Sequence, residues 1–235
     1  MSTPFPRSPK LLKGAFVELG NGFIGPIPQV IIFQYNPATL SRTLQIEGET
    51  GTRGNRTAPA TAQPTPPPET ISLSLELDAT DALETPDSHP IAVLAGVGDR
   101  MAAIELLLHP SESGSGLLGD LAGSLGLGGL FAQPPARPTV PLTLFIWGPG
   151  KIVPVRISQF SVEEQEFSPT LYPIRAKINL SMKILQPGDF PAGIAHAASR
   201  EIAEFCYKFY RTQQKALAVA NVANTVESIL GMLPF

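Results

Sequence analysis

The sequence predicts a mainly β protein with some α structure, and two stretches of alternating side chains carry this prediction. Between residues 173 and 185, apolar side chains take every other position from Ile174 to Ile184, and polar side chains fill the gaps. The stretch Ile71–Asp78 alternates in the same way. Because successive side chains of a strand point to opposite faces, both stretches predict a sheet with one apolar and one polar face. Such strands are typical of antiparallel sheets, so we expect an antiparallel β-barrel or two packed sheets.

Further strands are predicted on both sides of these two stretches. Residues 10–19 and 29–35 form a pair around the turn at Gly20–Gly22, and residues 41–47 form a short strand. The segment 142–147 is apolar at every position but one, which indicates a central or covered strand. Apolar positions then alternate up to Ile157 and resume out of step at Phe160. A shift of one residue predicts a β-bulge near Ser158.

One internal helix is predicted between about residues 90 and 109. Asp87 or Ser88 is the expected N-cap, Pro90 suits the first turn, and Pro110 ends the helix. Two inserts rich in small residues and proline, 48–70 and 111–138, interrupt the β segments. We predict the first to be a flexible loop, and the leucines of the second indicate that part of it packs against a partner or forms a short helix.

The chain is predicted to divide into a β domain, residues 1–186, and a C-terminal helical extension, residues 187–235. In the extension, apolar residues recur at alternating intervals of three and four, which is a heptad spacing. The positions are Ala198, Ile202, Phe205, Phe209, Thr212, Ala216, Val219, Ala223, Val226, Leu230 and Leu233. Two interpretations stay open: the helix lies back on its own sheet, or it docks on a partner. In the second, Phe205, Phe209 and Val219 are the candidate interface.

Composition excludes several classes of function. Charged residues make up 16% of the chain and the net charge is -3, which argues against a general nucleic-acid binder. Cys206 is the single cysteine, so no disulfide within the chain is possible. The first residues carry no apolar signal segment, and no run is long enough for a membrane span. We therefore expect synthesis and assembly in the cytoplasm.

No group of residues predicts chemistry. His89, His109 and His196 are far apart and have no metal-ligand spacing. Glu163, Glu164 and Glu166 form an acidic cluster, for which a solvated strand end is the simpler interpretation. We therefore predict no catalytic, cofactor-binding or metal-binding residue, and no enzyme activity.

Several short stretches, in order, resemble the tube and baseplate proteins of contractile injection systems. Ile32–Pro37 followed by Leu40 is similar to the family's "FNP" segment after its first hairpin, and Ile71–Asp78 resembles the next strand. Pro141–Gly148 is similar to an apolar strand that ends in Trp-Gly. Val162–Phe167 with Pro169, Pro173, Arg175 and Ala176 resembles the strand pair "F-x-P … P-x-R-A". The resemblance covers roughly residues 10–186.

The resemblance implies a tube-like β domain in a structural subunit of the inner baseplate. Such a subunit forms a homo-hexameric ring that joins a trimeric spike protein to the inner tube protein, and it contacts other baseplate proteins of a phage-tail-like particle. Many members carry a LysM module after the β domain, and residues 187–235 lack that pattern. The alternative function is a stand-alone β-barrel that binds a carbohydrate or another small ligand.

Overall fold

The structure is a computed structural model, and it describes residues 12–19, 29–46, 66–109, 140–190 and 197–232. One sheet of seven strands has the order β2-β1-β5-β6-β7-β4-β3. The strands are β1 (Ala15–Leu19), β2 (Val30–Ile32), β3 (Leu40–Leu44), β4 (Glu69–Asp78), β5 (Leu142–Ile146), β6 (Ile152–Phe167) and β7 (Pro173–Ile184). The pairs β1–β2, β1–β5, β3–β4, β4–β7 and β6–β7 are antiparallel. The predicted mainly β class with α structure is confirmed.

Alternation along β4 and β7 sorts their side chains as the sequence predicted. The two strands pair from Thr70 opposite Lys183 to Asp78 opposite Arg175. The apolar residues on one face of these two strands are buried, among them Leu75, Ile178 and Leu180. The other two expected core residues, Leu144 of β5 and Ile157 of β6, are buried as well. Burial of these side chains is the main favourable term for the sheet.

The predicted β-bulge lies at Ser158. Ile157 pairs with Met182 and Gln159 pairs with Ser181, so the residue between them has no opposite partner. The Ser158 hydroxyl instead donates to the carbonyl oxygen of Ser181 at 3.1 Å. The extra residue explains why the apolar period of β6 changes step between Ile157 and Phe160.

The sheet is open rather than closed into the predicted barrel. Within the described ranges, the order of strands begins at β2 and ends at β3, and neither of these strands has a second partner. Both are short, with three and five residues. A barrel requires its first and last strands to pair, so this part of the chain forms a two-faced sheet with two edges.

The prediction of a single internal helix is wrong, because two helices lie between residues 90 and 109 and a third precedes them. They are α1 (Thr80–Leu83), α2 (Pro90–Ala95) and α3 (Gly98–Leu106), with a 3₁₀ turn at Pro86–Ser88. Pro90 begins α2 as predicted, but its N-cap is His89 rather than Asp87 or Ser88.

Gly96 explains why α2 and α3 do not form one helix. Its φ of +58° is outside the range that helices use, and a Cβ built on it would lie 2.0 Å from the carbonyl oxygen of Pro173. That same carbonyl accepts a hydrogen bond from the N–H of Val97 at 3.0 Å. The backbone must therefore turn closely against the start of β7 at this residue, and only glycine allows it.

The chain divides into two compact units that are not consecutive in sequence. One contains residues 1–34, 106–154 and 185–235, and the other contains residues 35–105 and 155–184. The predicted boundary at residues 186 and 187 stays a prediction. The predicted inserts lie largely outside the described residues, although Glu69 and Thr70, placed in the first insert, belong to β4.

The first unit combines β1, β2 and β5 with the C-terminal helix α4 (Ala197–Met232). Four aromatic rings of this unit lie in contact with one another. They belong to Phe16 on β1, Phe145 on β5, and Phe33 and Trp147, which directly follow β2 and β5. Helix α4 contributes Ala203 to a buried cluster with Leu142 and Phe190. The beginning of α4 is therefore packed on its own unit.

Candidate functional site

The second unit presents a polar face built by three neighbouring strands, β4, β7 and β6. We call this surface the polar face. Its members alternate with the buried apolar residues and lie opposite one another across the strands. They are Ser72, Ser74, Glu76 and Asp78 on β4, Arg175, Lys177, Asn179 and Ser181 on β7, and Gln159, Ser161, Glu163 and Gln165 on β6.

The middle of the polar face is uncharged. Ser74, Asn179 and Ser161 form one row across the three strands, and Ser72, Ser181 and Gln159 form the next. The hydroxyl oxygens of Ser72 and Ser181 lie 2.9 Å apart and share a hydrogen bond. Hydroxyl and amide side chains are neutral, so these two rows add no net charge to the polar face.

A cluster of charged side chains lies at one end of the polar face, around Arg175. Beyond the other end, Arg156 of β6 lies opposite Lys183 of β7. The Nε of Arg175 donates to Asp78 Oδ2 at 2.9 Å, and its Nη1 donates to Glu166 Oε1 at 2.9 Å. Thr80 donates to the other Asp78 oxygen through its backbone N–H at 2.7 Å. Burial alone raises the pKa of Asp78, but the hydrogen bonds from Thr80 and Arg175 outweigh it and hold that pKa below its ordinary value.

Glu166 has a backbone φ of +51°, which is unusual for a residue with a side chain. Its carboxylate lies against Arg175 near the end of the β6–β7 hairpin. The acidic cluster of the sequence prediction is therefore split: Glu166 holds an arginine, and Glu163 lies on the polar face opposite Lys177. An arginine with two carboxylates fixes the geometry of the hairpin end but leaves no free acid–base pair.

A cleft of about 360 Å³ lies at this charged end. It is lined by Tyr35, Glu76, Leu77, Asp78, Gln165, Arg175, Ala176 and Lys177. Sequence reasoning missed this cluster. The signal was present, because Asp78 and Arg175 end two alternating strands and a direct antiparallel pairing places them opposite each other.

Helix α4 has two faces of opposite character. On one face, Ala203 and Tyr210 are buried. Tyr207, which lies between them, and Gln214, one turn further on, are half-buried. The heptad positions predicted as an interface lie on the other side. Phe205 is 69% exposed, Val219 is 70% exposed and Phe209 is half-buried.

Beyond its packed part, the next two turns of α4 are exposed on every side. All residues from Lys215 to Val222 are exposed, including Leu217, Val219 and Val222. The interpretation that α4 lies back on its own sheet describes its first part, whereas the predicted interface residues are not covered in this way. Large exposed apolar surfaces mark interaction sites.

Edge strand β2 is also apolar and exposed. Val30 and Ile32 are more than half exposed, and the strand carries no charged residue. At the other edge, Arg42 of β3 forms an ion pair with the buried Glu69 at 3.1 Å, while Leu44 and Ile46 are exposed. Edge strands without a charge or a proline are templates for pairing with another chain.

Potential metal ligands are dispersed within the described ranges. No three His, Cys, Asp or Glu side chains there are grouped closely enough to hold a metal ion. His89 Nδ1 lies 3.1 Å from the Thr85 hydroxyl beside α2, His109 follows α3, and His196 lies outside the described residues. Burial raises the pKa of the Cys206 thiol, which lowers its fraction of reactive thiolate.

Two comparisons with known proteins find no match. A scan against protein-family models finds no matching family, and a search of curated proteins finds no significantly similar sequence. Within the described part of the chain, no helix has the length and apolar character that crossing a membrane requires.

Proposed function

We propose that this protein is a structural subunit of the inner baseplate of a contractile injection system. In this role it forms a hexameric ring between the trimeric spike and the inner tube. The proposal rests on the position of the stretches that resemble tube and baseplate proteins. Ile71–Asp78 is most of β4, and the stretch from Val162 to Ala176 is the hairpin of β6 and β7. These three strands are neighbours and build the polar face.

The character of the polar face supports a channel-lining role. A lumen that continues the channel of the inner tube needs a surface that is wetted and does not bind passing molecules tightly. Rows of Ser, Asn and Gln side chains provide such a surface, and the nearby charges around Arg175 are paired with each other. The buried opposite face anchors the strands through residues such as Ile178 and Leu180.

The two exposed edges support assembly into a ring. A closed ring uses head-to-tail contacts, in which a patch on one subunit meets a different patch on the next. Strands β2 and β3 are two such different patches, and each has exposed apolar side chains. Pairing of neighbouring subunits at these edges would satisfy the outer backbone groups of both strands and complete the tube-like barrel of the ring.

The proposal is tested in cells that produce the particle. Deletion of this chain should leave spike and tube proteins in the cell but stop them from joining, and the intact chain should restore complete particles. Complementation with Ile32→Lys should fail, because a buried charge at the subunit contact is unfavourable. The control is Leu12→Lys, at a residue that is similarly exposed and lies outside the strands. Complete particles in the deletion strain would contradict the proposal.

A ligand-binding module is the second candidate, and the cleft beside Tyr35 is the observation that favours it. Its lining combines one aromatic ring with two acidic and two basic residues. Sugar-binding clefts commonly use exposed aromatic faces, but Trp147 is half-buried in a stack with Phe145. Calorimetric titration with oligosaccharides tests this candidate, and saturable heat that Tyr35→Ala abolishes would favour it over the ring subunit.

A further inference from the structure

The apolar seam of α4 has the geometry of one strand of a coiled coil. We define the α4 seam as Ile202, Phe205, Phe209, Thr212, Ala216 and Val219. These positions alternate by three and four residues along a continuous helix. All are exposed except Phe209, which is half-buried. This spacing keeps a stripe facing a second helix over many turns, because the helices wind around each other at 3.5 residues per turn.

The rest of the helix already has its partner. Ala203 and Tyr210 are buried, with Tyr207 half-buried between them, so that side of α4 is held by its own unit. The α4 seam is therefore a second face of a helix that is already formed and positioned. Docking on it requires no ordering of the helix, which lowers the entropy that association must overcome.

We propose that the α4 seam binds the α4 seam of a second copy of this chain as an antiparallel two-stranded coiled coil. The sizes of the seam residues indicate which helix binds the seam and in which orientation. When two copies run antiparallel about the midpoint between Tyr210 and Arg211, each layer joins a larger residue to a smaller one. Ile202 faces Val219, Phe205 faces Ala216, and Phe209 faces Thr212 of the second copy.

The parallel arrangement packs less well. It would place Phe205 against itself and Ala216 against itself, so that one layer is crowded and another leaves a void. Cores pack at uniform density when large and small residues face each other across an interface. The seam therefore complements its own reversed copy.

The length of the contact predicts a weak pair. From residue 202 to residue 219 the helix extends by roughly 27 Å. A two-helix contact of this length buries on the order of 1,000 Å² in total, which is the low end for a specific interface. We therefore expect a dissociation constant in the micromolar range. Such a pair has two-fold symmetry and cannot by itself close a ring of six, so it is separate from the ring contacts.

Sedimentation equilibrium of the full chain tests the pairing with a matched couple of variants. Val219 belongs to the seam, and Leu217 is equally exposed at 69% but lies off the seam. Val219→Glu should weaken the dimer at least about tenfold, whereas Leu217→Glu should change its dissociation constant by less than about twofold. A wild-type chain that stays monomeric at high concentration, or equal effects of both variants, would overturn the proposal.

Disulfide trapping tests the direction. In a Cys206→Ser background, Phe205→Cys mixed with Ala216→Cys should give the heterodimer on oxidation, and Phe205→Cys alone should give little product. Strong self-linking of Phe205→Cys, or no link in a protein that still dimerises, would overturn the antiparallel arrangement. The Val219→Glu variant should still form complete particles, because the proposed ring contacts lie at β2 and β3 and not on α4. This result distinguishes the α4 pair from the ring.

Discussion

Ala203 and Phe205 are two residues apart on α4 and lie in opposite environments. Ala203 is completely buried in the cluster with Leu142 and Phe190, while the ring of Phe205 is 69% exposed. The larger apolar side chain is the one left in solvent. Burial of α4 on its own unit therefore follows the shape of the contact, in which a small residue allows close approach, and not the size of the apolar group.

A pair of substitutions checks this relationship. Ala203→Asp should destabilise the isolated chain by about 3 kcal/mol or more, because it buries an unpaired carboxylate. For a chain of this length, that corresponds to a fall in Tm of roughly 6–12 °C. Phe205→Ser should leave Tm within about 1 °C, since exposed substitutions rarely matter for folding. Thermal melts of both variants measure these changes. A large fall in Tm for Phe205→Ser would mean that Phe205 is covered in solution.

Two truncations separate the packed and the exposed parts of α4. Ending the chain after Gly188 removes Phe190 and Ala203 and exposes Leu142, so Tm should fall by several degrees. Ending it after Gln214 keeps all described buried residues of α4 and should leave Tm unchanged. The longer form should nevertheless lose self-association, because Ala216 and Val219 are gone. Equal melting temperatures for both truncations would contradict the packing of α4 on its own unit.

Gly96 and Gly98 offer a matched test of the helix break. Gly96→Ala should destabilise the chain by about 2 kcal/mol or more, because its φ is positive and the new Cβ would meet the carbonyl oxygen of Pro173. Gly98→Ala should be neutral or slightly stabilising, since its Cβ would meet nothing closer than 3.8 Å. Urea denaturation of both variants measures the difference. Equal stability would mean that the chain does not turn against β7 at Gly96.

Glu18 gives the chain a predictable dependence on pH. It is a buried residue of β1 beside Thr143, and burial raises the pKa of its carboxyl. A raised pKa means that the folded state holds the proton more tightly than the unfolded state. The stability that this provides is present below the ordinary glutamate pKa, about 4.3, and is lost as the pH rises through the folded pKa.

The substitution Glu18→Gln removes the loss of stability at higher pH, because a glutamine side chain does not ionise. The variant should therefore be more stable than the wild type at pH 7, and the advantage should shrink as the pH falls towards about 4.3. Denaturation curves of the two chains between these pH values measure it. A wild type that is the more stable protein at pH 7 would mean that the carboxylate is ionised and held by a partner.

Much of the sheet could be predicted because its residues obey one period. Alternation from Ile174 to Ile184 defines both faces of β7, and the change of step after Ile157 locates the bulge at Ser158. Closure of the sheet was not encoded locally, since it depends on whether β2 and β3 find partners. The break at Gly96 was missed because its cause is the carbonyl of Pro173, which is distant in sequence. On α4 both sides are apolar, so the sequence alone could not decide which one packs.

The candidate site, like the sheet, could be predicted only in part. Absence of a catalytic set was predicted from the spacing of His and Cys residues and stays a prediction. The charged cluster at Arg175 required the register of β4 on β7, which no single segment contains. Phe205 and Val219 were identified from the heptad spacing alone, and their exposure is a property that only the packed structure provides.

The central claim, that this chain is a ring subunit at the axis of a contractile particle, is tested most directly by cryo-electron microscopy of the intact particle. The account predicts density for six copies between spike and inner tube, with Ser74, Asn179 and Ser161 of the polar face turned towards the lumen. Density for this chain outside the axial stack, or a copy number other than six, would contradict it.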